Sequence, residues 1–170
     1  MKLNLVPLYS FLHKNNKKAI NDDLLFIDEI NNFLADEDLL IQENAKDAIF
    51  DVILIGSGGT EGLFLKRLDD FKEPLVILST SRNNSLPAAL EIKTYLENKN
   101  KLCFLLSGEE NHIASMLKHI ATIISAYRSL KDNKLGVIGA NLNYTKENLK
   151  QTAEQTSQRH TYQYSRHALL

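Results

Sequence analysis

The sequence predicts a doubly wound α/β domain with a mostly parallel five-stranded sheet, flavodoxin-like in its winding, followed by a polar C-terminal extension. Two patterns predict it. Short apolar runs recur at Leu3 to Leu8, Val52 to Ile55, Leu75 to Leu78, Leu102 to Leu106 and Leu135 to Ile138. They have strand length, are rich in Val, Ile and Leu, and lack clean alternation, as expected of strands covered on both faces. Longer amphipathic stretches separate them, and that alternation is the sequence form of a wound parallel sheet. With right-handed crossovers, the simplest strand order is 2-1-3-4-5.

The first helical stretch carries Ile20, Leu24, Ile27, Phe33 and Leu34 near helical spacing, with Asp22, Asp28, Glu29, Asn31 and Asn32 left for solvent. Further on, Ser85 suits an N-cap, Pro87 suits a first turn, and Ala88 to Ile92 are mostly strong helix formers. The longest helix is expected from Glu109 to Leu130. Ile113, Met116, Leu117, Ile120, Ile123, Ile124, Tyr127 and Leu130 form its apolar stripe, so Met116 and Tyr127 read as core. Glu109 and Glu110 open it, where acidic groups complement the helix dipole. Beyond Asn141, apolar residues thin out and Gln, Thr, Ser and Asn dominate. The division is therefore a domain over 1–140 and a polar extension over 141–170, loosely attached or forming one helix.

A chain of 170 residues fits one domain, which buries roughly 70% of its unfolded surface. Net charge is −1 with both signs interspersed, which argues against nucleic acid and anionic membranes as partners. The single cysteine, Cys103, excludes an internal disulfide and a CxxC motif. Within its apolar run it reads as a small buried hydrophobe. The N-terminal run before Pro7 is too short for a signal-peptide core. No stretch approaches the ~18 uncharged apolar residues of a membrane span. A cytoplasmic protein is expected.

In such a sheet every strand-to-helix loop leaves by one rim, and ligands bind there. The candidate loops are Tyr9 to His13, Gly56 to Glu61, Ser79 to Asn84, Ser107 to Asn111 and Gly139 to Asn143. Their Gly, Ser, Thr and Asn content favours a polar, hydroxyl-rich or anionic ligand. In the loop Gly56-Ser57-Gly58-Gly59-Thr60-Glu61-Gly62, backbone N–H groups can face a ligand at a helix start. Equally, the glycines can serve a tight turn with Thr60 as helix cap. It is neither a P-loop nor a dinucleotide fingerprint, since no Lys follows and Glu61 stands where glycine is needed. The next loop has no acid to hold a ribose 2′-hydroxyl, which counts against NAD, while Arg82 leaves NADP open. Arg82, Asn83 and Asn84 supply donors for sugar hydroxyls or a carboxylate, or form a solvated turn. Ser107 and Asn111 face them from the following loop.

No metal site is expected: His112 and His119 are seven apart on one helix, about 10 Å by helical rise. His13 stands by a lysine-rich loop, and His160 and His167 lie in the polar extension. No nucleophile, base and orienter assemble in sequence, and catalytic residues are not expected.

Three blocks, Asp51-Val52-Ile53-Leu54-Ile55-Gly56-Ser57-Gly58-Gly59-Thr60-Glu61, Asn83-Asn84-Ser85-Leu86-Pro87-Ala88-Ala89-Leu90-Glu91-Ile92 and Leu135-Gly136-Val137-Ile138-Gly139, together resemble the N-terminal domain of the L-fucose/L-arabinose isomerase family. The middle block is the most specific. The resemblance covers roughly residues 1–140 and implies a flavodoxin-like fold that helps oligomers form and lends a wall to a neighbouring subunit's sugar site. It places aldose–ketose isomerisation, with manganese held by two carboxylates and a His, in a later domain with no counterpart here. The family's Pro-Ser-type loop is replaced by Ala140-Asn141-Leu142-Asn143-Tyr144. The expectation is a sugar-site wall or oligomer-assembly module without isomerase activity or cofactor of its own. Its partner would be a sugar, or a neighbouring subunit of its own or of isomerase kind. A small nucleotide- or FMN-binding module is the competing reading, on fold analogy alone.

Overall fold

The computed structural model describes residues 1–35 and 38–131. The strand expected at Leu135 to Ile138 and the extension over 141–170 lie outside the described residues. In chain order the elements are β1 (Lys2–Leu8), α1 (Lys17–Leu34), β2 (Leu40–Glu43), β3 (Asp51–Ile55), α2 (Glu61–Lys66), a 3-10 turn (Leu68–Asp70), β4 (Leu75–Ser79), α3 (Ser85–Asn98), β5 (Cys103–Leu106) and α4 (Glu110–Lys131). The five strands form one sheet in the order β2-β1-β3-β4-β5, and every pairing is parallel. This is a doubly wound α/β arrangement.

The digits of the expected order hold, but the strands that carry them differ. The second strand is Leu40–Glu43, which only the three-residue apolar run Leu39 to Ile41 marks, and the Val52 to Ile55 run is the third and central strand. β2 is an edge strand of four residues with only Ile41 buried, so little hydrophobic signal is required of it. Side-chain chemistry recruits it instead. Asn31 on α1 donates from Nδ2 to the Ile41 carbonyl (2.9 Å) and accepts the Ile41 N–H on Oδ1 (2.8 Å). Asn31→Ala is expected to lower stability by about 1–2 kcal/mol, two hydrogen bonds of modest net worth. It should also speed hydrogen exchange at the Ile41 amide; unchanged exchange would exclude the anchor.

Strand side chains alternate between two helical layers. Leu3, Leu5, Val52, Leu54, Val76 and Leu78 pack under α1 and α4. Leu8, Ile53, Ile55, Leu75 and Ile77 face α2 and α3, where the Phe64 and Phe71 rings meet at 5.3 Å. β3 and β4 are buried at every position, which is why their runs do not alternate. On the amino-terminal rim, Asp51 accepts Asn4 Nδ2 (2.8 Å) and the Lys72 N–H (2.7 Å), and Asn4 Oδ1 accepts the Ala45 N–H (3.1 Å).

Three core expectations are corrected. α1 buries Ala19, Asp23, Phe26, Ile27, Ile30 and Leu34, while Leu24 and Phe33 are exposed. On α4, Ile113, Leu117 and Ile120 are buried, with Met116 and Ile124 packed partly against them, but Ile123, Tyr127 and Leu130 are exposed. The helix has 22 residues, about 33 Å by its rise, and outruns the four-residue strand before it. Cys103 is only partly buried, because β5 is the other edge of the described sheet.

Candidate functional site

Because all five strands run the same way, the loops after β1, β3, β4 and β5 leave by the carboxyl rim. From β1 the chain first moves outward to β2, then returns to β3 on the other side. α1 covers one face and α2 the other. The loops after β1 and β3 therefore diverge, and a crevice opens between them at this switch point. Its volume is about 590 Å³, and its lining is Ser10, Leu12, His13, Gly58, Gly59, Glu61, Asn83 and Asn84, with Pro87, Ala88 and Glu91 of α3. Two carboxylates line it and no Lys or Arg does.

The path of the β3–α2 loop depends on Gly56. A Cβ there would stand 2.1 Å from Tyr9 Cε1, so only glycine lets the Tyr9 ring lie across the loop. Gly59 adopts φ +77°, a backbone region glycine enters freely. The Gly58 N–H is spent on the Asn83 carbonyl (2.8 Å), tying the β3–α2 loop to the β4–α3 turn. Thr60 occupies the N-cap of α2 without capping it. Its buried hydroxyl donates to the Ser57 carbonyl (2.9 Å), closing the turn on itself.

Ser57 is fully buried, and its hydroxyl accepts the Ser10 N–H (2.9 Å) and donates to Ser10 Oγ (3.1 Å). Ser10 Oγ in turn lies 3.0 Å from Nδ1 of His13. Across the crevice, Asn83 and Asn84 both take left-handed φ (53° and 55°), which Asn tolerates better than other residues with a Cβ. Asn84, not Ser85, is the N-cap of α3. The Ser85 hydroxyl instead reaches the Ile55 carbonyl and accepts the Thr80 N–H (2.9 Å), pinning the helix start to the sheet.

Arg82 turns away from this crevice. Its Nη2 donates to the Asp22 carbonyl (2.9 Å) and stands 3.5 Å from Asp23 Oδ1. Asp23 is fully buried on α1. Burial pushes its carboxyl above the ordinary carboxylate range. The Tyr9 hydroxyl and the Arg82 guanidinium pull the other way without a well-formed hydrogen bond to either oxygen. Burial, then the neighbouring Asp23 carboxylate, pushes the Tyr9 phenol strongly upward.

The expected site residues thus fall into groups. Gly58, Gly59, Glu61, Asn83 and Asn84 share the crevice, and Ser57 and Thr60 build its wall from within. Arg82 and Ser107 line a separate groove of about 290 Å³ with Thr80, Ser81 and Glu110. Asn111 borders neither; its Oδ1 accepts the N–H of His112. Sequence reasoning named the Tyr9 to His13 loop without singling out Ser10 or His13 in it, passed over Glu91 and Asp23, and placed Arg82 with the ligand loops instead of beside Asp23. The signal for Ser10 and His13 was a three-residue spacing on the loop after the first strand.

Comparisons with known proteins return no match to a protein-family model, a curated protein or a solved structure. Among the described residues, no three His, Cys, Asp or Glu side chains come together to hold a metal ion. Nor is any described helix long and apolar enough to cross a membrane.

Proposed function

We propose that this chain is a binding or assembly module of the kind it resembles, an L-fucose/L-arabinose isomerase N-terminal domain. In this reading it grips a hydroxyl-rich ligand, or walls a neighbouring subunit's sugar site, and has no isomerase activity of its own. One observation supports the reading above others. The switch-point crevice offers hydroxyl, amide, imidazole and carboxylate groups and no Lys or Arg. Carboxylates accept hydrogen bonds from sugar hydroxyls and repel phosphates. A nucleotide or FMN would bring its phosphate beside Glu61 with no cation to receive it, so the sugar reading is favoured over the nucleotide reading. The family's manganese has no cluster of ligands among the described residues, and no step is assigned to it.

Calorimetric titration with L-fucose, L-arabinose, FMN and NADP tests this reading. The expected result is weak binding of a sugar, in the millimolar range typical of a half-site, with the two nucleotides weaker still. Tighter binding of FMN or NADP than of either sugar would overturn it. So would turnover of L-fucose or L-arabinose by the chain with added manganese.

A further inference from the structure

The hydrogen-bond chain at the crevice mouth starts from a defined donor, Ser57. The Ser57 hydroxyl is fully buried, and its oxygen already accepts the Ser10 N–H (2.9 Å). A buried hydroxyl proton left without an acceptor is costly. Among the described residues Ser10 Oγ, at 3.1 Å, is the acceptor it meets, so Ser57 donates to Ser10. With one Ser10 lone pair taken by Ser57, the Ser10 proton is free to span the 3.0 Å to Nδ1 of His13, one of the two arrangements this contact allows. An Nδ1 that accepts carries no proton, so a neutral His13 carries its hydrogen on Nε2. His13 lines the crevice, and Nε2 has no partner among the described residues.

We propose that His13, held as the Nε2–H tautomer by Ser57 and Ser10, is the side chain that donates a hydrogen bond to a ligand hydroxyl in the crevice. The proposal rests on the sugar-binding reading given above and adds the residue that orients the sugar. Ser10 and Ser57 are positioning residues, since they act through the imidazole. Glu61 and Glu91, the other ionisable groups lining the crevice, supply acceptors alongside this donor. Lys14 is held over the Phe11 ring at 4.4 Å.

The experiment combines two readouts on the full chain. Long-range ¹H–¹⁵N spectra of the imidazoles at about pH 8, above the ordinary histidine range, report the tautomer without any ligand. NMR titrations with L-fucose and L-arabinose report affinity. The expected tautomer in the wild-type chain is Nε2–H, shifting to a mixture in Ser10→Ala. Affinity should fall about tenfold in His13→Ala and His13→Asn, the scale of one lost hydrogen bond to a ligand. His13→Gln should restore it to within about threefold, because its amide nitrogen reaches where Nε2 stood while that of Asn does not. An Nδ1–H tautomer in the wild-type chain overturns the proposal. So does His13→Ala titrating like wild type while wild type binds sugar, which leaves the sugar reading intact. A wild-type chain that takes up neither sugar overturns both together.

Discussion

Gly56→Ala is expected to lower stability by about 2–3 kcal/mol, at the upper end of overpacking costs. For a chain of this size that is about 6–9 °C in Tm. The reason is a single contact: the new methyl would lie 2.1 Å from Cε1 and 2.5 Å from Cδ1 of Tyr9. Neither group can yield easily. Gly56 donates its N–H to the Leu8 carbonyl (2.9 Å) at the end of the β1–β3 ladder, and Tyr9 is held beside Asp23. Tyr9→Leu removes the ring, so it should recover most of the loss when combined with Gly56→Ala. Thermal unfolding of the two single variants and the double variant measures this directly. Additive losses would show that ring contact is not the cause. A displaced ring would also disturb Ser10, the next residue, so crevice amide shifts should move in Gly56→Ala and return in the double variant.

Removing the Arg82 guanidinium should uncover the charge of Asp23. Breaking a fully buried ion pair from one side typically costs about 3–5 kcal/mol. The Arg82 side chain is 43% exposed and its nearest nitrogen stands 3.5 Å away, so about 2 kcal/mol is expected for Arg82→Ala at neutral pH. The pH dependence has a definite sign. The folded chain holds the Asp23 proton more tightly than the unfolded chain, because burial raises that carboxyl. Stability from this group is therefore full below about pH 4 and is lost as pH rises through the folded-state value. Arg82→Ala deepens that loss by removing the opposing charge. Asp23→Asn abolishes it, and urea midpoints between about pH 4 and pH 8 should then lose this contribution to their slope. If Arg82→Ala cost as much with Asp23→Asn as without it, the charge account would fail.

The central frame was legible in the sequence because β3 and β4 are apolar runs buried on both faces and β1 buries Leu3, Leu5 and Leu8. β2 was not, since its apolar contribution is only Leu39 and Ile41 and the Asn31 amide secures the rest of its place. The α4 stripe was read too far because periodicity marks a face without marking where its covering ends; Tyr127 and Leu130 keep the period and stay exposed. In the site, composition alone indicated polar loops on one rim. It could not tell which way Arg82 turns, because a buried acid on α1 decides that. Asp23 was within reach, as it shares a face with Ala19, Phe26, Ile27 and Ile30. An acid on an apolar face is a stronger signal than a solvent-facing one. The pairing of Ser10 with His13 depends on Ser57, 47 residues away from Ser10, and no local pattern contains it.

The knot formed by Asn4, Asp51 and the Lys72 amide fastens the sheet at the end remote from the crevice. It ties the ends of β1 and β3 and the approach to β4 with atoms that take no part in the ligand-facing loops. A segment such as 11–15 could thus be exchanged while the anchorage underneath persists. A frame moored in this way is a natural starting point for engineered receptors, in which recognition is varied at one end and cohesion is maintained at the other.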